Sequence, residues 1–131
     1  MGLTGSITGG GLGLGRKHKS KTQTISDNSN HDLITVDLAE GRSIQIQAMV
    51  IGCKSDNTQI LGCRLEGTFA RAAAGDVTEI GSWIEAVLND NSIDFHVTFY
   101  VDTTNQRVCV RVQDGAANTV KWVADVIYSM T

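Results

Sequence analysis

The stretch "FHVTFYVDTTNQRVCVRVQ", residues 95–113, constrains the fold more than any other part of the chain. Apolar side chains fall on every second place, at Phe95, Val97, Phe99 and Val101, then at Val108, Val110 and Val112. His96, Thr98 and Tyr100 stand between them. A period of two marks a strand with one buried face. A helix would scatter these residues around its axis. "TTNQ" between the two runs is turn material, so the stretch predicts a β-hairpin.

The same period recurs on both sides of the hairpin. "LITVDL" puts Ile34, Val36 and Leu38 on one face, and "SIQIQAMVIGCK" does so with Ile44, Ile46, Ala48 and Val50. "QILGCRLEGTFAR" alternates Leu61, Cys63, Leu65, Gly67 and Phe69. "TVKWVADVIY" closes with Val120, Trp122, Ala124, Val126 and Tyr128 on one face. The turns between them read "AEGR", "SDNT", "AAAGD" and "DGAAN". "EIGSWIEAVLND" fits two patterns. Ile80, Trp83, Ile84, Val87 and Leu88 match helical spacing, whereas Trp83, Glu85 and Val87 match one face of a strand. Its neighbours favour the strand. About seven short strands joined by tight turns predict an all-β domain over residues 31–131, an antiparallel β-sandwich of jelly-roll type.

Residues 1–30 differ. Seven of the first fifteen are glycine, and Arg16, Lys17, Lys19 and Lys21 follow at once. Glycine this dense opposes a helix or a stable strand through its entropy. The expectation is an extended Gly-rich basic arm, residues 1–30, without regular structure. It carries a net charge of +3 up to Asn30, against −6 for the rest of the chain. A basic arm on an acidic body points to two different partners. Fixing a backbone costs about 1–2 kcal/mol per residue, so such an arm gains order only against other chains. Leu3, Ile7, Leu12 and Leu14 are its candidate anchors for small pockets, and Arg16, Lys17, Lys19 and Lys21 its candidate contacts for an acidic partner.

Several chemistries lack their residues. "GLGLGRKH" does not end in the Gly-Lys-Ser/Thr of a phosphate loop and fails the spacing of a dinucleotide turn. "MGLTGS" matches the short acylation pattern Met-Gly-x-x-x-Ser/Thr, a weak signal by itself. Asp90, Ser92 and Asp94 echo the first ligands of a calcium loop, but Phe95 stands where its glycine belongs, so a polar turn is expected. His18, His31 and His96 have no metal-ligand spacing. Cys109 and His96 share the hairpin, yet their alternation is that of sheet packing. No catalytic residue, metal or cofactor is therefore expected. Four cations can neutralise phosphates, but no aromatic residue interleaves with them for base stacking, so nucleic acid is not the expected partner. No apolar run approaches the ~18–20 residues that cross a bilayer as a helix, and no secretory leader is expected. Cys53, Cys63 and Cys109 are an odd count at wide spacing. They read as reduced thiols and fit assembly in the cytoplasm.

From about residue 44 onward the chain resembles a C-terminal domain of tailed-bacteriophage virion proteins, found in head-fibre, tail-fibre and capsid-surface components. The resemblance rests on Leu65-Glu66-Gly67, Gly81-Ser82, Asp102-Thr103-Thr104-Asn105 and Trp122-Val123-Ala124, in that order and spacing. It implies a β-sandwich that assembles as a homotrimer and carries no catalytic residues. The expected protein is then a non-enzymatic virion component, anchored to capsid or tail proteins by its arm and displaying the sandwich outward. The alternative is a receptor-binding fibre tip whose loops "SDNTQ" and "DNSID" grip a host-surface glycan. The Gly-rich arm stands outside the resemblance.

Overall fold

The computed structural model describes residues 15–92 and 94–131. Nine strands are formed among them: β1 (Arg16–Ile25), β2 (His31–Asp37), β3 (Arg42–Lys54), β4 (Ile60–Arg71), β5 (Val77–Glu79), β6 (Ile84–Asp90), β7 (Phe95–Asp102), β8 (Arg107–Asp114) and β9 (Val120–Met130). The larger sheet runs β1-β9-β3-β4-β5, with β6 also paired to β4. The smaller sheet runs β2-β8-β7. Every pairing is antiparallel, and the described residues form no helix.

The inner faces of the two sheets share one core. Ile44, Ile46, Ala48 and Val50 on β3, Leu61, Cys63, Leu65 and Phe69 on β4, and Val120, Trp122, Ala124 and Val126 on β9 meet Val97, Phe99, Val108, Val110 and Val112 of the smaller sheet. These are the residues that alternate in the sequence, so the period of two becomes the two inner faces of a sandwich. Aromatic rings fix the spacing between the layers. Phe99 meets Phe69 edge-on at 5.4 Å and Trp83 edge-on at 5.6 Å, and Phe95 packs on Trp122 at 5.4 Å. Edge-to-face geometry sets the positive rim of one ring against the negative face of the next.

The hairpin expected at residues 95–113 is β7–β8, with Val101 opposite Val108 and Val97 opposite Val112. Its turn is made by Asp102, whose Oδ1 accepts the Thr104 and Asn105 amides at 3.0 and 3.1 Å. "EIGSWIEAVLND" contains a strand: Leu65 pairs with Glu85 and Cys63 with Val87. Val87 thus points to the inner side, but among the described residues the smaller sheet has no strand beneath β6, and Val87 stays exposed.

One expectation fails. Residues 16–25 belong to the sandwich as β1, paired to β9 over their full length, from Arg16–Ser129 to Ile25–Val120. The sequence hid this strand because only Ile25 in it is buried. An edge strand is held by its backbone ladder, which needs no apolar alternation. Lys17, Lys19 and Lys21 lie opposite Tyr128, Val126 and Ala124, on the inner side of the sheet. Lys19 Nζ donates to the Thr35 carbonyl of β2 at 2.8 Å. That bond satisfies an acceptor on the smaller sheet's open edge. Inward-pointing charges of this kind also prevent a further strand from adding to the edge.

Candidate functional site

The strands run pole to pole, so the connections lie at two ends, except residues 80–83, which join β5 to β6 along the middle of β4. At the first pole are the start of β1 and the end of β9: Arg16 faces Ser129, and the Thr131 amide donates to the Ser43 carbonyl at 3.0 Å. The β7–β8 turn joins them there. Its Gln106 backbone and side chain reach Leu38, Val77 and Asp76.

The second pole gathers four connections: residues 26–30 after β1, 55–59 after β3, 91–94 after β6 and 115–119 after β8. Three of them use the same local device, in which an aspartate closes the turn over a hydroxyl residue two places on. Asp27 Oδ1 accepts the Ser29 amide at 3.0 Å and its hydroxyl at 2.7 Å. Asp56 Oδ1 accepts the Thr58 amide at 3.0 Å and its hydroxyl at 2.6 Å. Asp90 Oδ1 accepts from the Ser92 amide at 2.8 Å and its hydroxyl at 2.6 Å. The fourth connection is organised from within. Asp114, the one buried charged residue among those described, accepts the Ala116 amide at 3.0 Å and the Asn118 amide at 2.7 Å. Nothing in the alternation flags Asp114. The Asp-Gly pair at 114–115 signals a turn but not the burial of its acid.

The four connections are joined to one another. Asn91 is the hub between two of them: its Oδ1 accepts the Ile60 amide at 2.6 Å, and its Nδ2 donates to the Thr58 carbonyl at 3.3 Å. The turn "SDNTQ" and Asn91 therefore share one surface. The Ser55 amide donates to the Thr119 carbonyl at 2.9 Å, and the Gly115 amide to the Asp94 carbonyl at 3.0 Å. Ser26 and Thr119 hydroxyls meet at 3.1 Å, and Gln113 Nε2 donates to the Asn28 carbonyl at 2.9 Å. The result is a rim of exposed aspartates, amides and hydroxyls on a rigid base.

Its acids are tuned by these bonds. The His31 Nε2 donor, 2.7 Å away, and the Ser29 donors hold Asp27 down at about 2. The Thr58 hydroxyl and amide lower Asp56 in the same way. Hydrogen bonds to the ionised form favour it. Asp27 and Asp56 are held ionised and already accept hydrogen bonds from their own loops, so the rim suits hydrogen bonding to a polar partner rather than acid–base chemistry.

His96 and Cys109, which share the hairpin, are not set against each other. His96 faces Gln113 across the hairpin, while Cys109 faces Tyr100. Burial pushes the Cys109 and Cys63 thiols up to about 11. No group of three His, Cys, Asp or Glu suited to a metal ion occurs among the described residues. Of the arm residues, Leu3, Ile7, Leu12 and Leu14 lie outside the described residues. Arg16, Lys17, Lys19 and Lys21 stand on β1, the three lysines turned to its inner side as described above.

No protein-family model matches the chain, and no curated protein does. Solved structures do. The tailspike protein of Acinetobacter baumannii phage AM24 matches with a TM-score of 0.47 and 9% identity, over 88% of this chain and 26% of that one. Tailspike protein gp49 of Acinetobacter baumannii bacteriophage Fri1, described as a capsular polysaccharide depolymerase, matches with a TM-score of 0.47 and 12% identity, over 89% and 20%. The tailspike protein of Acinetobacter phage vB_ApiP_P1 matches with a TM-score of 0.38 and 14% identity, over 98% and 25%. The chain spans about a quarter of these proteins' length, or less.

Proposed function

We propose that this chain is a non-enzymatic structural module of a bacteriophage virion, joined to capsid or tail proteins at one pole and displaying its sandwich outward. The observation that carries the reading is the polarity of the molecule. Arg16 and Thr131 emerge side by side at one pole, and the braced polar loops occupy the other. Any chain continuing from either end leaves from the first pole, which keeps the second clear for display. The stretches on which the resemblance to virion domains rests fit a structural role. Gly67 leaves room for Trp83 and Phe99, Asp102 closes the hairpin turn, and Trp122 fills the core. The N-terminal residues, with Leu3, Ile7, Leu12 and Leu14, serve as the anchor. The lysines of β1 belong to the body.

Deleting residues 1–15 should leave a folded, soluble sandwich that no longer joins particles in a complementation assay. Full incorporation of the truncated chain would sink the anchoring model. Gold labelling of particles would then separate capsid from tail.

A second reading is favoured by the Asn91 hub. Two loops rich in hydroxyl and amide groups, locked together at the displayed pole, present the groups that bind a host-surface glycan. A glycan array probed with the full chain tests it. Binding that is lost in Asn91→Ala supports this reading, and an array without signal ends it.

A further inference from the structure

The larger sheet has two free edges of opposite charge. Among the described residues β1 pairs only with β9, and β6 only with β4. β1 carries Arg16, Lys17, Lys19 and Lys21 and no acid. Between Arg71 and Arg107 the sequence has no lysine or arginine, and Asp76, Glu79, Glu85, Asp90 and Asp94 lie within β6 or on either side of it in the chain. The charges on the two edges also point the same way. Lys17, Lys19 and Lys21 turn to the inner side of the sheet. On β6, Glu85 pairs with Leu65, Val87 with Cys63 and Asp90 with Leu61. All three partners belong to the core, so Glu85, Val87 and Asp90 turn inward as well. The Cys63 thiol agrees: burial raises it most, and the Glu85 and Asp90 charges raise it further. The spacing matches too. Leu88 is bulged out of the ladder, so Glu85 and Asp90 stand four ladder places apart with Val87 midway. Lys17 and Lys21 stand four places apart with Lys19 midway. Lys19 is held by the Thr35 carbonyl. Lys17, Lys21 and Glu85 enter no ion pair among the described residues, and Asp90 uses only Oδ1 in its own turn.

We propose that a second copy of this chain docks edge to edge, its β1 beside β6 of the first. Lys17 then meets Glu85, Lys21 meets Asp90, and the aliphatic stem of Lys19 packs on Val87. Inward charge keeps an ordinary strand off either edge. Each set of charges is neutralised only by a strand with the opposite sign on the same side at the same spacing. Two β6 edges would set acid against acid, and two β1 edges lysine against lysine, so the contact is heterologous. The outer side does not oppose it. There Arg16, His18 and Ser20 come level with Ile84, Ala86 and Asn89, and no like charges meet. The cation beside β6 on that side, Arg64, already pairs with Glu66 at 3.1 Å. The space beneath agrees. Among the described residues no strand of the smaller sheet underlies β6, which leaves room for the lysine and glutamate side chains and lets them cover the exposed Val87. Direction agrees as well. Four antiparallel steps separate β1 from β6, so the two strands run the same way. Copies that meet with inner faces aligned therefore point the same pole in one direction. The register slides by two residues from level, about 7 Å, a stagger of the kind that tilted strands take up in a closed ring. The contact repeats from copy to copy until the ring closes. The inference rests on charge and register and stands apart from the virion reading.

Sedimentation velocity on the full chain tests it, with circular dichroism to confirm that each variant is folded. The wild type should sediment as more than two copies at micromolar concentration. Lys17→Glu and Glu85→Lys each set like charges against each other across the contact, and each should weaken assembly by roughly tenfold or more. The double variant should recover it, because every contact regains an opposite pair. Both positions are exposed and outside the turns, so the fold should survive either change. A wild type that is monomeric throughout, or a closed dimer, overturns the proposal. So does a larger assembly indifferent to either single variant, or one that the double variant fails to restore.

Discussion

Two glycines show how much a single hydrogen in place of a methyl group decides. Gly52 on β3 faces the Trp122 ring, and a Cβ there would lie 2.4 to 2.8 Å from three of its carbons. Gly62 on β4 has open space. Gly52→Ala should therefore cost about 2–3 kcal/mol through overpacking, whereas Gly62→Ala should stay within about 0.5 kcal/mol. Urea unfolding of both variants checks the contrast. The thiols divide as sharply. Cys63 and Cys109 are buried with their pKa raised to about 11 by desolvation, while Cys53 is partly open and donates to Asn57 Oδ1 at 2.9 Å. Iodoacetamide at pH 8 should label Cys53 alone in the native protein and all three cysteines in denaturant. Mass spectrometry reads this directly. At this scale the sequence was informative for the core and silent elsewhere. Alternation singled out Trp122, but only the β3–β9 register sets Gly52 against it.

At the scale of elements, turns hold their shape through acids, and acid is where they should fail. Asp27 lies at about 2, lowered from 3.8 by His31 and Ser29. A depressed folded pKa means that the ionised form favours the folded loop. The contribution is complete above about pH 4, falls as pH drops through the interval between 3.8 and 2, and is gone below it. Carboxyl NMR should give Asp27 a midpoint near 2, and hydrogen exchange at the Ser29 amide should accelerate across that interval. The edge strand β1 makes a second case. Lys19→Ala removes the bond to Thr35 and should lower stability by about 0.5–1.5 kcal/mol. A neutral replacement such as Lys19→Gln tests whether charge or the bond matters. The difference between expectation and structure is instructive at β1. Strands with one buried face were legible from period two, including the β7–β8 hairpin, whereas β6, which buries no residue, was read only from its neighbours. β1 was not, because its pairing to β9 is specified by the backbone and by the partner's free edge. Side-chain periodicity carries no record of either. The loop pole lay between these cases. "SDNTQ" and "DNSID" were recognisable as turns, but the link from Asn91 to the first of them depends on β4 and β6 lying side by side.

For the whole molecule, the topology joins distant stretches of chain. The first described strand pairs with the last, and β2 finds β8. Loop-closure entropy must be met before these contacts form, so folding should be slow, in the range of milliseconds to seconds for an all-β domain of this contact order. Stopped-flow Trp fluorescence should show a main phase in that range. A refolding phase of microseconds would contradict the topology.

The placement of β1 beside β9, with Arg16 next to Ser129, governs how the body responds to force. If both chain ends are drawn apart, the two strands peel like a zipper, one hydrogen bond at a time, at low load. If the protein is held by its N-terminal side and tugged at the far loops, the pull runs along β1. Its ladder to β9 is then loaded in shear, and many bonds must yield together. One strand pair is thus compliant or stiff according to where the grip lies, and traction from the loop side meets the stiff direction.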